Sequence, residues 1–317
     1  MLKQLLFVFR FVGAYFRKGR FVSRAVPNLT IETTNFCDAR CVICANVLMK
    51  RPREHLDMAI FKKVVDEFIA WGGSVVAFNT TIGEPLLDPY LLERARYVKK
   101  FPQVYSLGFV TNLQWLHKLD MNEFFNSGIN WLGISTVLSG RDEYLEFFGV
   151  DRYEQVKKNI TGIIEENKKR GKPINITFAV KPTSEGVNAA IKHPDFKMIS
   201  VLANIDLAAE VKRHYIYVDD WIGKVKIPSY LKKRPLYPRA FRPCALLYIG
   251  ITLFSNSSIG ACPCRDFEAD SELILGNAGK AGLKELWTSD KLTHIRRDWR
   301  RNNKIPDICR RCSHYVY

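Results

Sequence analysis

Thr34-Asn35-Phe36-Cys37-Asp38-Ala39-Arg40-Cys41-Val42-Ile43-Cys44 sets three cysteines four and then three residues apart, directly behind an apolar, strand-like stretch that begins at Leu29. Three thiolates leave a metal site incomplete. A structural zinc site takes four protein ligands, whereas an iron–sulfur cluster held by three keeps one iron open to a further ligand. The loop after a strand is also where parallel α/β folds gather their ligands.

Working outward from this loop, strand-like segments are predicted at 29–34, 74–80, 106–111, 130–137, 174–181 and about 203–209. Helical patterns lie between them near 57–71, 89–100, 117–127, 152–170 and 188–200. Six βα repeats predict a parallel sheet covered by helices, a partial (β/α)6 TIM-like barrel. The segment 211–243, rich in Lys, Arg, Tyr and Pro, breaks the alternation and reads as a linker or substrate-covering loop. A hairpin-like pair at 247–254 and 257–262 and a helix from about 282 to 299 then form a second, smaller unit. The expected division is 1–24, 25–210, 211–243 and 244–317.

The 317 residues can bury a substantial core, and 47% hydrophobic with 25% charged residues is the composition of a globular protein. No apolar run approaches the ~18 residues needed to cross a bilayer. Eight cysteines without a small-residue cleavage site behind an apolar N-terminus favour reduced thiols and a cytoplasmic chain. A net charge of +16 points to an anionic partner. No nucleic-acid motif with interleaved aromatics accompanies it, so nucleic acid is not the expected partner. Residues 2–20 carry Leu2, Leu5, Leu6, Phe9, Val12 and Phe16 at helical spacing among Lys3, Arg10, Arg17, Lys18 and Arg20. Such a basic amphipathic helix either packs on the barrel or lies on an anionic membrane as a peripheral contact.

The CxxxCxxC spacing resembles that of the radical S-adenosylmethionine (SAM) family, and the likeness extends along the chain. Thr81-Ile82-Gly83-Glu84-Pro85-Leu86 resembles the family's GGEPL segment, with Ile82 in place of the first Gly. Val110-Thr111-Asn112 resembles the TNG turn, with Leu113 in place of Gly. Ser135 and Lys181 close the fourth and fifth predicted strands. The resemblance implies that Cys37, Cys41 and Cys44 hold a 4Fe-4S cluster whose open iron chelates SAM. It likewise implies that Phe36, Gly83, Glu84, Asn112, Ser135 and Lys181 surround SAM, and that flavodoxin or ferredoxin supplies electrons.

The other five cysteines all fall in the C-terminal unit, with Gly260-Ala261-Cys262-Pro263, Leu275-Gly276-Asn277 and Leu286-Trp287 around them. This pattern resembles the twitch domain, a shortened SPASM domain. Five are too few for two auxiliary clusters, so one auxiliary 4Fe-4S cluster on Cys244, Cys262, Cys309 and Cys312 is implied. Cys264 is left over as a hydrogen-atom donor or as a substitute for Cys262.

The function expected from this resemblance is abstraction of hydrogen from a carbinol carbon of a sugar, glycan or related anionic metabolite. Cys264 would return hydrogen in an epimerase. In a dehydrogenase, Asp219, Asp220 or His214 would take the proton while the auxiliary cluster took the electron. Maturation of a ribosomally made peptide is the alternative, weakened because the stretch ahead of Cys37 is shorter than the usual leader-binding domain. A zinc protein associated with nucleic acid is the third reading.

Overall fold

The computed structural model describes residues 28–317 apart from 79–80, 215–216, 237–242, 263–264 and 315–317. The predicted N-terminal helix and Cys264 lie outside the described residues. β1 (Asn28–Ile31) runs parallel to β2 (Val75–Phe78), which continues into β3 (Ser106–Thr111), β4 (Trp131–Thr136) and β5 (Asn175–Val180), all parallel. Ile31, Phe78, Phe109 and Ile134 are fully buried under the covering helices. These are α1 (Met58–Ala70), α2 (Leu91–Lys99), α3 (Met121–Asn126), α4 (Arg141–Phe148) and α5 (Tyr153–Lys169).

Helix α1 illustrates how the sequence builds these elements. Asp57 accepts from Ile60 N at 2.9 Å and caps the first turn. Phe61, Val64, Val65 and Phe68 then recur at helical spacing and are buried on one face. Helix α4 lay within no predicted element. Its eight residues lie between Gly140 and the left-handed Gly149, whose N–H donates to Leu145 O at 2.8 Å.

The predicted sixth strand at 203–209 is a correction: the chain there is helical. After α6 (Gly186–Lys192), α7 (Pro194–Ala203) ends at Asn204 in the left-handed region, and α8 begins at Leu207 and runs to His214. Asp206 Oδ1 accepts from Ala209 N at 3.0 Å and starts the new helix. Ile205 and Leu207, which read as strand alternation, are one residue of a short link and the first residue of the next helix. The barrel therefore has five successive parallel strands, and β5 is an edge with alternate residues exposed.

Two short strands, β6 (Tyr217–Val218) and β7 (Lys232–Lys233), pair in parallel within the presumed linker. The chain then passes α9 (Leu246–Ile249) into β8 (Gly250–Leu253), β9 (Ser258–Gly260) and β10 (Ile274–Asn277). The hairpin is present, but it does not stand apart: β8 pairs in parallel with β1, so one eight-stranded sheet runs β10-β9-β8-β1-β2-β3-β4-β5. The expected helix at 282–299 is two, α10 (Leu283–Trp287) and α11 (Asp290–Asn302), with Ser289 capping the second. A last turn, α12 (Asp307–Arg310), precedes Cys312.

A buried ionic knot fastens this junction. Glu32, directly after β1, meets Arg51 at 2.6 Å and accepts from Ser255 N and Oγ at 3.2 and 2.8 Å. Arg51 Nε donates to Phe267 O at 2.7 Å. Removing one partner of a buried pair strands the other charge, at a cost of about 3–5 kcal/mol. Glu32→Ala is expected to lower the urea midpoint by a corresponding amount, and Glu32→Ala with Arg51→Met is expected to recover most of the loss. A double variant no more stable than the single one would show that the knot is not the source.

Candidate active site

The cysteine loop leaves β1 and is held on several sides. Arg40 N and Val42 N donate to Phe148 O and Phe147 O at 2.7 and 3.0 Å, so unpredicted α4 is one of its supports. Glu84 N donates to Phe36 O at 2.7 Å. Asp38 accepts from Trp115 Nε1 at 3.0 Å and pairs with Arg152 at 3.1 Å. Trp221 Nε1 donates to Ile43 O at 2.8 Å, and Asn46 N donates to Cys44 Sγ at 3.4 Å.

Burial pushes the Cys37 thiol up to about 12, with the Glu84 carboxylate adding to it. Burial raises Cys41 and Cys44 as well, and the neighbouring thiols add to the rise at Cys41. Water alone does not sustain three thiolates here; a cationic metal centre does, since coordination releases the protons. The donor set therefore fits a cluster bound through sulfur at Cys37, Cys41 and Cys44.

Glu84 is buried at the foot of this loop. Its carboxylate accepts from Leu86 N at 3.1 Å, from Asn112 N at 2.8 Å and from the Thr111 hydroxyl. Burial still lifts it to about 7, against those three hydrogen bonds. Gly83 adopts φ +88°, a backbone that requires glycine. Ile82, which replaces a glycine of the resembled motif, packs with Ala45, Trp221 and Phe267. Leu113, the second replacement, keeps a left-handed backbone at φ +60° while fully buried. Thr111 Oγ1 accepts its N–H at 2.8 Å and Asn159 Nδ2 donates to its carbonyl at 2.7 Å. The turn geometry thus survives without its glycine because the surroundings hold it.

The site opens into a cavity of about 530 Å³. Cys41, Cys44, Ser135 and Lys181 line it together with Asp219, Trp221, Arg234, Arg265 and His314. Lys181 is half-buried, and desolvation lowers its pKa while the Cys41 and Cys44 sulfurs act in the opposite direction. Burial, with Arg265 and Arg234, lowers His314 to about 4, so it is neutral at pH 7.

Asp219 pairs with Arg265 at 2.6 Å and accepts from Ser313 Oγ. Asp220 does not line the cavity; it pairs with Lys233. Phe36 also stands outside the lining and stacks on His55 at 4.8 Å between ring centroids. Asn112 turns its Oδ1 back to Gln114 N at 3.0 Å.

Of the auxiliary cysteines, Cys244 is buried ahead of α9, Cys262 follows β9, and Cys309 and Cys312 bracket the last turn, where Cys312 N donates to Cys309 O at 3.3 Å. Arg265 lies three residues after Cys262, and Ser313 directly follows Cys312. Both engage the Asp219 carboxylate, which ties the two cysteine-bearing stretches to the cavity wall.

Comparison with known proteins agrees with this arrangement. The Radical SAM superfamily matches residues 31–183, and the SPASM iron-sulfur cluster-binding domain matches residues 244–313. The chain belongs to the radical SAM superfamily. It carries a SPASM-type domain and uses 4Fe-4S clusters with SAM, which sets aside the zinc reading. A GTP 3',8-cyclase of Chlorobaculum tepidum is 26% identical over 141 residues, covering 44% of this chain and 42% of the cyclase. The chain thus spans under half the length of that relative.

Among solved structures, BtrN in complex with AdoMet and 2-DOIA has a TM-score of 0.60 at 15% identity, over 92% of this chain and 94% of BtrN. Streptococcus suis SuiB bound to the precursor peptide SuiA has a TM-score of 0.62 at 14% identity, over 100% of this chain and 77% of SuiB. These likenesses establish the fold. Among the described residues no helix is long and apolar enough to cross a membrane.

Sequence reasoning passed over Trp221, Arg234, Arg265 and His314 in this radical SAM chain. No local spacing marks them; only their positions near the Pro-rich segment and the C-terminal cysteines gave a signal. The thiols offer a direct check. With Cys37 raised from 9.0 to about 12, its thiolate fraction at pH 8 is about a thousandfold below that of an ordinary cysteine. Mass spectrometry of the metal-free protein should find Cys37 alkylated by iodoacetamide slower by a factor of that order. Labelling as fast as an exposed thiol would contradict the buried site.

Proposed function

We propose that this radical SAM enzyme oxidises a carbinol carbon of a small anionic metabolite to a ketone. The observation that supports this reading is the shared cavity: Cys41 and Cys44 line it together with Asp219, Arg265 and His314, of which Asp219 and His314 are tied to the Cys312 region. When bound, the cluster and SAM supply a 5'-deoxyadenosyl radical, which removes a carbon-bound hydrogen atom.

The chain's residues then divide the remaining work. Cys37, Cys41 and Cys44 hold the SAM cluster. Glu84, Gly83, Ser135 and Lys181 border SAM, with Lys181 beside its carboxylate; Phe36 and Asn112 support the surrounding loops. After loss of the hydrogen atom, oxidation requires an outlet for one proton and one electron. Asp219 on the cavity wall takes the hydroxyl proton. Cys244, Cys262, Cys309 and Cys312 would hold an auxiliary cluster, which would supply the outlet for the electron. Epimerisation would instead draw a hydrogen atom from Cys264, and an acidic peptide is the alternative substrate suggested by the likeness to SuiB.

Anaerobic incubation of reduced, reconstituted enzyme with SAM and candidate phosphorylated or carboxylated sugars in deuterated water tests the proposal. A new carbonyl, equimolar 5'-deoxyadenosine and no solvent deuterium at the product carbon are expected. Cys309→Ala with Cys312→Ala should keep SAM cleavage and lose ketone formation. Deuterium incorporation without a carbonyl would replace oxidation by epimerisation, and absence of 5'-deoxyadenosine would remove the whole scheme.

A further inference from the structure

The charges around the cavity do not cancel. Lys181, Arg234 and Arg265 line it against one carboxylate, Asp219. Arg265 is committed to Asp219 at 2.6 Å. Lys181 faces Cys41 and Cys44, whose thiolates offset its charge once metal is bound. Lys233, next in sequence to Arg234, is taken by Asp220.

Arg234 has no such partner: among the described residues no carboxylate lies within ion-pair distance of it. Its backbone is nevertheless anchored, since Arg234 N donates to Val218 O at 2.8 Å, and Val218 lines the same cavity. A guanidinium on a half-buried wall of a cavity that a second arginine also lines is unfavourable until an anion enters. Its planar fork matches an oxyanion in two parallel hydrogen bonds.

We propose that Arg234 forms an oxyanion subsite that grips the phosphate or carboxylate of the substrate in the cavity it lines together with Arg265 and His314. This deepens the proposed function and rests on it only in taking the cavity for the substrate site. The subsite explains how a molecule is oriented so that its carbinol carbon, not its charged end, faces the cysteine loop. It makes Arg234 a specificity-determining residue.

The test is calorimetric titration of inorganic phosphate, and separately acetate, into the reconstituted, SAM-bound protein at low ionic strength. Saturable binding of at least one anion is expected, weakened ten- to hundredfold by Arg234→Gln, in line with loss of a charge-assisted pair. Arg234→Lys should fall between, keeping the charge without the fork. Lys232→Gln, which removes the same charge from an exposed position on β7, should bind as the unaltered protein does. Tighter phosphate binding would identify a phosphate ester, and tighter acetate binding a carboxylate.

Failure of both anions to bind, unchanged binding in Arg234→Gln, or equal loss in Lys232→Gln would overturn the subsite. Because binding is read without turnover, intact anion binding in an enzyme that forms no ketone would remove the oxidation reading and leave the subsite standing.

Discussion

Desolvation of three sulfur atoms is the constraint on which the rest of this structure depends. Burial raises the Cys37, Cys41 and Cys44 thiols above the ordinary range, so ionising all three together calls for a cationic centre among them. A loop with that requirement has to be held in shape from outside. Phe147 and Phe148, Glu84, Trp115, Arg152 and Trp221 supply the holding contacts, and they come from different parts of the chain. The support is as much a part of the site as the sulfurs, because a ligand loop displaced by about 1 Å loses its chemistry.

The sheet explains how those supports converge. β1 is an interior strand, paired in parallel with β2 on one side and β8 on the other. The cysteine loop therefore emerges between the barrel strands and the C-terminal hairpin rather than at an edge. Pairing β8 with β1 also brings the hairpin cysteines within the reach of one sheet, and the Glu32–Arg51–Ser255 knot locks that register where a slip would strand two buried charges. Trp221 completes the join. It and Ile222 occupy left-handed backbone at φ +51° and +59°, conformations costly for bulky side chains. The indole bond to Ile43, the Arg265 guanidinium 4.5 Å from its ring and the Phe267 edge hold the strained turn in place.

Electrostatics acts at two scales. The net charge of +16 raises the local concentration of anions around the whole molecule, but salt screens it over roughly 10 Å. Inside the cavity fewer charges matter more, because the dielectric is low and the partners are fixed. There the arrangement is specific: Asp219 neutralises Arg265, Lys181 lies near the Cys41 and Cys44 sulfurs, and Arg234 lines the cavity with no carboxylate paired to it among the described residues.

The amino-acid sequence on its own determined the chemistry of this protein. The spacing of Cys37, Cys41 and Cys44, the Glu84 segment behind a strand, and strand and helix periods through β5 were legible because ligand spacing and burial alternation are local properties. Leu113 and Ile82 showed as departures from a glycine pattern, yet the sequence could not say that the backbone would keep its turn regardless; packing around them decides that. The segment 203–209 misled because a short apolar link between two capped helices has the period of a strand. Only the tertiary structure decided that the C-terminal hairpin extends the barrel sheet and that α4 supports the cysteine loop. It likewise decided that Trp221, Arg234, Arg265 and His314 line one cavity with Cys41 and Cys44. Those facts depend on contacts between residues far apart in the chain, whose energies come from burial and pairing in three dimensions and leave no period or spacing to read.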